Sequence, residues 1–103
     1  KLNKFYKMLI QQKQEGHKGS FYVEEDGQVL AEMTWSMTGT DLMIIDHTEV
    51  SDELKGKNVG YQLVNRAVEY ARANDMKILP LCPFANAVFK KKVAEFGDVL
   101  RRN

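Results

Sequence analysis

Apolar and polar positions alternate through the first half of the chain, and the period then changes. Val29, Ala31, Met33, Trp35 and Met37 alternate with Leu30, Glu32, Thr34 and Ser36, which predicts a long strand with one apolar face. Phe21-Tyr22-Val23 predicts a short strand before it. Between them, Asp26-Gly27 predicts a hairpin turn, because both residues tolerate positive φ. Met8 to Gln14 can be extended, followed by the turn-like segment from Glu15 to Gly19. After the turn Thr38-Gly39-Thr40, Asp41 to Val50 reads as another strand, with Leu42-Met43-Ile44-Ile45 as its buried stretch. These four strands form an antiparallel meander.

From Gly60 onward the apolar residues fall at Leu63, Val64, Ala67, Val68 and Ala71, the spacing of an amphipathic helix. It should end near Ala73-Asn74-Asp75, where Asn74 can take the left-handed cap conformation. Met76 to Leu81 predicts a short strand, and Pro83 suits the first turn of a second helix running to about Ala94. The tail from Phe96 to Leu100 is ambiguous. The order is ββββαβα, a mixed α/β (α+β) class. A strand, a glycine-containing loop, a helix and a further strand in series predict a crossover that adds a parallel-paired strand to the meander.

Length and composition narrow this. The 103 residues suit a single domain spanning 1–103, with 44% hydrophobic and 28% charged residues. Apolar residues are spread along the whole chain, which argues against disorder. No run of 18 apolar residues occurs, so no transmembrane helix is expected. The first residues, Lys1 to Leu9, lack a signal peptide's apolar stretch, and the one cysteine, Cys82, cannot form an internal disulfide. A reducing, cytoplasmic setting is the expectation. His17, His47 and Cys82 are too scattered for a zinc pattern, and no metal is expected.

Charge is segregated beneath a net +1. Residues 1–20 carry five lysines and one glutamate; residues 21–53 carry nine carboxylates and no Lys or Arg; residues 54–103 carry ten bases and four acids. These are either solvated faces that pair across the fold, or a basic half for an anionic ligand and an acidic half for a cationic one.

Three segments can carry chemistry. Leu54-Lys55-Gly56-Lys57-Asn58-Val59-Gly60 joins a strand to a helix, where unpaired amides and the helix dipole favour an anion. Lys55 and Lys57 add charge, and Gly56 and Gly60 let a phosphate approach the backbone. The same residues also make an ordinary loop with a helix-initiating glycine. The segment closes with no Gly-Lys-Ser/Thr and contains no G-x-G-x-x-G. Asp46-His47-Thr48-Glu49-Val50 puts an imidazole among carboxylates; His47 and Glu49 share one strand face, Asp46 and Thr48 the other. His47 is either a general base or a packed histidine satisfied by a hydrogen bond. In Pro80-Leu81-Cys82-Pro83-Phe84, Cys82 is either an activated thiol at a helix start or a small buried hydrophobe.

Taken together, His47-Thr48-Glu49-Val50, Lys55 to Gly60, the long helix and Pro80-Leu81-Cys82-Pro83-Phe84 resemble the GNAT superfamily of N-acetyltransferases, in its small stand-alone branch. The resemblance covers about Phe21 to Phe89. It implies a GNAT-like fold and acetyl-coenzyme A as cofactor, with the pyrophosphate on the amides of Lys55, Gly56, Lys57, Asn58, Val59 and Gly60. Lys55 stands where the family motif has Arg or Gln, and Asn58 where it has its first Gly. The resemblance also implies that the pantetheine arm lies between two splayed strands, pairing with the backbone of Thr48, Glu49 and Val50, with Phe84 beside the cofactor and the thioester near His47 and Cys82. Near the family's usual tyrosine acid this chain has Val88 and Phe89, which cannot donate a proton.

Two functions follow from the resemblance. One is an N-acetyltransferase in which His47 takes a proton from an amine of a small molecule or protein, with Cys82 as a possible covalent carrier in a variant. The other is a non-catalytic module that holds coenzyme A. Nucleic-acid binding through Lys90-Lys91-Lys92 and Arg101-Arg102 is disfavoured by the near-neutral charge and the acidic middle third. No motif specifies the acceptor or the oligomeric state.

Overall fold

The computed structural model describes residues 7–102, so Lys1 and Lys4 of the basic N-terminal stretch lie outside the described residues. Five strands form one sheet in sequence order: β1 (Gln11–Glu15), β2 (Lys18–Glu25), β3 (Gln28–Thr38), β4 (Leu42–Val50) and β5 (Lys77–Pro80). The first four pair antiparallel, and β5 pairs parallel to β4. A 15-residue helix, α1 (Val59–Ala73), makes the crossover, and α2 (Pro83–Lys91) and the short α3 (Val93–Phe96) follow β5. The expected meander, crossover and parallel strand are all present.

The alternating strands supply the core's floor. Phe21, Met33, Trp35, Met43 and Ile45 are buried, and α1 lays Leu63, Val64, Ala67, Val68 and Ala71 on them. The opposite sheet face carries polar cross-strand rows, Lys13–Ser20–Thr34–His47 and Gln11–Tyr22–Glu32–Glu49. Lys13 lies 3.6 Å from Glu32 and 4.9 Å from the Tyr22 ring centre on that face. No helix among the described residues is long and apolar enough to cross a membrane.

Boundaries differ from the sequence expectation where side chains or tertiary contacts decide. β1 begins at Gln11, not Met8, because the Met8 amide donates instead to Gln62 Oε1 of α1 at 2.9 Å. The Asp26-Gly27 turn has φ of 51° and 77°, as the hairpin requires. At the end of α1 it is Asp75, not Asn74, that is left-handed, with φ 58°. Asn74 stays at φ −115°, its side-chain amide donating to the Tyr70 carbonyl at 2.9 Å. The second helix does not run to Ala94. It stops at Lys91, and Lys92 (φ −109°, ψ 31°) turns the chain into α3. The turn buries Phe96, whose ring centre lies 5.7 Å from Phe89 and 6.0 Å from Tyr61. The tail then adds a parallel bridge, Ile78 to Leu100, at the sheet's edge.

Candidate functional site

β4 and β5 pair only from Leu42–Lys77 to Ile45–Pro80. At that point the Leu81 and Cys82 amides both donate to the Ile45 carbonyl at 3.1 Å, and the chain leaves the sheet into α2. From Asp46 to Val50, β4 is paired with β3 alone. The two strands therefore form a fork with its vertex at Ile45.

A bulge sits at the same place. Thr34 pairs with His47 and Trp35 with Ile45, so Asp46 is an extra residue on β4. It resets which side chains face the helices: Met43 and Ile45 are buried before it, Thr48 and Val50 half-buried after it. His47 and Glu49 share the outward face, as expected, with His47 Nε2 3.5 Å from Glu49 Oε2. Asp46, expected on the face of Thr48, is the bulge residue and is exposed, whereas Thr48 is half-buried. Cys82 is buried, and its Sγ donates to Thr48 Oγ1 at 3.3 Å, tying the two arms together on the helix side. His47 and Cys82, expected near one thioester, lie on opposite faces of β4.

Ser51 to Gly60 completes the site. Asp52–Leu54 form a 3-10 turn capped by Ser51 Oγ, which accepts from the Glu53 amide at 3.3 Å. Gly56 is left-handed at φ 82°, a conformation a side chain resists, and open space lies where its Cβ would stand. Asn58 is left-handed too, at φ 62° and ψ 29°, immediately before α1. The Lys55 and Lys57 amides, expected to hold a pyrophosphate, instead donate within the loop to the Asp52 and Leu54 carbonyls at 3.1 and 3.2 Å, so the donors without an intrahelical partner here are those that open α1. Gly60 has a further reason to be glycine. A Cβ there would stand 2.6 Å from Phe84 Cζ, so its absence seats the Phe84 ring against the start of α1.

Between this loop, the end of β4 and α2 lies a cleft of about 610 Å³. Of the residues expected to bind a cofactor, Val50, Lys55, Gly56, Asn58, Val59, Gly60 and Phe84 line it. Thr48, Glu49 and Lys57 do not: Glu49 faces outward, and the Lys57 carbonyl accepts from Gln62 Nε2 at 3.2 Å. Phe84 is 43% exposed, an aromatic face left open to the cleft. Sequence reasoning missed Tyr61, Val88, Lys91 and Lys92 as lining residues. The i, i+4 and i+7 spacing of Phe84, Val88 and Lys91 along α2 was the signal that could have found two of them, Val88 and Lys91.

Residues 20–99 match the family model for the GCN5-related N-acetyl-transferase. Among solved structures, the chain is 37% identical to a GCN5-like protein of Staphylococcus aureus determined by NMR, covering 94% of this chain and 91% of that one, with a TM-score of 0.70. A ribosomal-protein-alanine N-acetyltransferase of Brucella melitensis shares the fold at 15% identity and a TM-score of 0.63, over 76% of this chain and 62% of that one. So does AAC(6')-Iy, solved with the bisubstrate analog CoA-S-monomethyl-acetylneamine, at 15% identity and a TM-score of 0.51, over 86% of this chain and 68% of that one. Comparison with curated proteins gives no match.

Proposed function

The chain belongs to the GCN5-related N-acetyltransferase family, and we propose that it transfers an acetyl group from acetyl-coenzyme A to an amine, using the fork between β4 and β5 and the loop before α1. One observation carries this reading: the left-handed pair Gly56 and Asn58 opens onto the cleft at the exact end of the fork, where β4 has unpaired backbone. A diphosphate fits the loop, because Gly56 leaves open space there and Lys55 supplies charge at its edge. The free edge of Thr48 to Val50 offers hydrogen-bonding groups to an extended pantetheine arm, as an added strand would use them. When bound, acetyl-coenzyme A supplies an activated acetyl thioester.

The chain's own part is to bind, orient and move one proton. His47 stands on the exposed face of β4, two residues beyond the fork's vertex at Ile45. Glu49 Oε2 lies 3.5 Å from its Nε2, and the imidazole's part is to accept a proton from an incoming ammonium. Direct transfer is favoured over a route through Cys82, whose Sγ is buried and engaged with Thr48 on the other face. Replacing His47 by Ala is expected to lower kcat about 10²- to 10⁴-fold, the usual worth of a positioned base. Acetyl-coenzyme A binding should be unchanged in that variant. Turnover equal to the unmodified protein would place the base elsewhere. An intact-mass gain of one acetyl group at Cys82, after incubation with acetyl-coenzyme A alone, would instead establish the covalent route.

The cofactor itself is tested by thermal unfolding. A ligand at 100 times its Kd adds about 2.7 kcal/mol of stability. For a domain of this size that is a rise of roughly 10–20 °C in Tm. A flat Tm at millimolar acetyl-coenzyme A would overturn the reading. A full rise with no product across a broad panel of amines would identify a binding module.

A further inference from the structure

α2 turns one stripe of side chains to the cleft, Phe84, Val88 and Lys91, and the stripe changes from apolar to cationic along its length. Phe84 is seated against Gly60 beside the loop. Lys91 stands about 10 Å further along the helix axis, at a rise of 1.5 Å per residue. Two other lysines reach the same cleft, and each already has a neighbour. Lys55 Nζ lies 3.2 Å from Asp52, and Lys92 Nζ lies 3.6 Å from Glu95 and 5.5 Å from the Tyr61 ring centre. Lys91 has no ion pair or hydrogen bond among the described residues. No carboxylate lines the cleft among them either.

We propose that Lys91, with Lys92 beside it, binds the 3′-phosphate of coenzyme A and so selects the 3′-phosphorylated carrier over its dephosphorylated form. The assignment rests on the cofactor reading above. Coenzyme A carries two separate anionic groups, a diphosphate and a ribose 3′-phosphate. The first amides of α1, beside the open space at Gly56, match the first and leave the second without a partner; the open cation at the far end of the same cleft matches it. An ordinary role for Lys91 exists as well, since a lysine in the last turn of a helix offsets the dipole. Lys90 shares that role at the same helix end, is exposed, and does not line the cleft. The two neighbouring lysines thus separate ligand recognition from helix stabilisation.

The experiment is calorimetric titration of coenzyme A and of 3′-dephospho-coenzyme A into the unmodified protein, Lys91→Ala and Lys90→Ala. The unmodified protein should prefer coenzyme A by about ten- to a hundredfold, the worth of a charge-assisted hydrogen bond. Lys91→Ala should lose most of that ratio by weakening coenzyme A alone, and Lys90→Ala should keep it. Equal binding of the two ligands by the unmodified protein overturns the assignment, as does an equal loss in Lys90→Ala. Failure of either ligand to bind the unmodified protein overturns the cofactor reading itself, a distinguishable result.

Discussion

Asn58 holds a left-handed backbone that costs most residues with a Cβ about 1–2 kcal/mol. Its short side chain makes no capping hydrogen bond, so backbone geometry is what the position demands. Asn58→Gly is therefore expected to leave stability unchanged or raise it slightly in urea unfolding, and Asn58→Val to lower it by about 1–2 kcal/mol. The neighbouring Gly60 shows where local spacing misleads. In the sequence it reads as room for a phosphate, whereas in the fold it is first of all room for the Phe84 ring. That contact joins residues far apart in the chain, so spacing around residue 60 cannot reveal it. Gly60→Val must displace the ring, and it is expected to abolish the Tm rise with acetyl-coenzyme A and to cost about 1–3 kcal/mol of stability by overpacking.

Strands and helices were legible because their apolar periods are strong, but their joints were not. The Asp46 bulge leaves no mark in the run Ile45-Asp46-His47-Thr48, since a strand with or without an extra residue has the same composition. It decides which side of the sheet each later side chain occupies, and hence that His47 and Cys82 are parted. The break at Lys92 was equally hidden: no glycine or proline marks it, and it follows from burial of Phe96. One joint has a pH signature. Arg72 of α1 holds Asp98 of the tail by two hydrogen bonds, Nε to Oδ2 at 2.8 Å and Nη2 to Oδ1 at 2.9 Å. Those bonds, and the guanidinium charge behind them, hold the Asp98 carboxyl below its ordinary range. A carboxyl lowered in the folded state contributes stability above its unfolded pKa, near 4, and loses it as the pH falls through the lower folded value. Asp98→Asn should thus reduce Tm at neutral pH, and the difference from the unmodified protein should shrink below about pH 4.

Across the whole molecule, one helix face holds the sheet and the cleft together. Leu63 is fully buried at the centre of α1, and Leu63→Ala is expected to cost about 2–5 kcal/mol, measurable as a lower urea midpoint with unchanged slope. A small domain commonly has only 5–15 kcal/mol in total. The charge segregation read from the sequence also takes on a location. Lysines line the cleft, and the outward sheet face sets Glu32 directly across from Glu49, beside the His47 row. The order of charges along the chain showed that they were segregated; only the register shows which strands bring them together.

The fork has a consequence for how the backbone exchanges hydrogen with water. Along Asp46 to Val50, amides that point to β3 are locked in a ladder, whereas those on the other side have no strand to receive them. Protection from exchange should alternate along this segment, while Met43 to Ile45, flanked by strands on both sides, should be slow throughout. An inserted pantetheine would slow the fast set and leave the slow set unchanged. The pattern of deuterium uptake over five residues would then record, amide by amide, the strand that the sheet lacks.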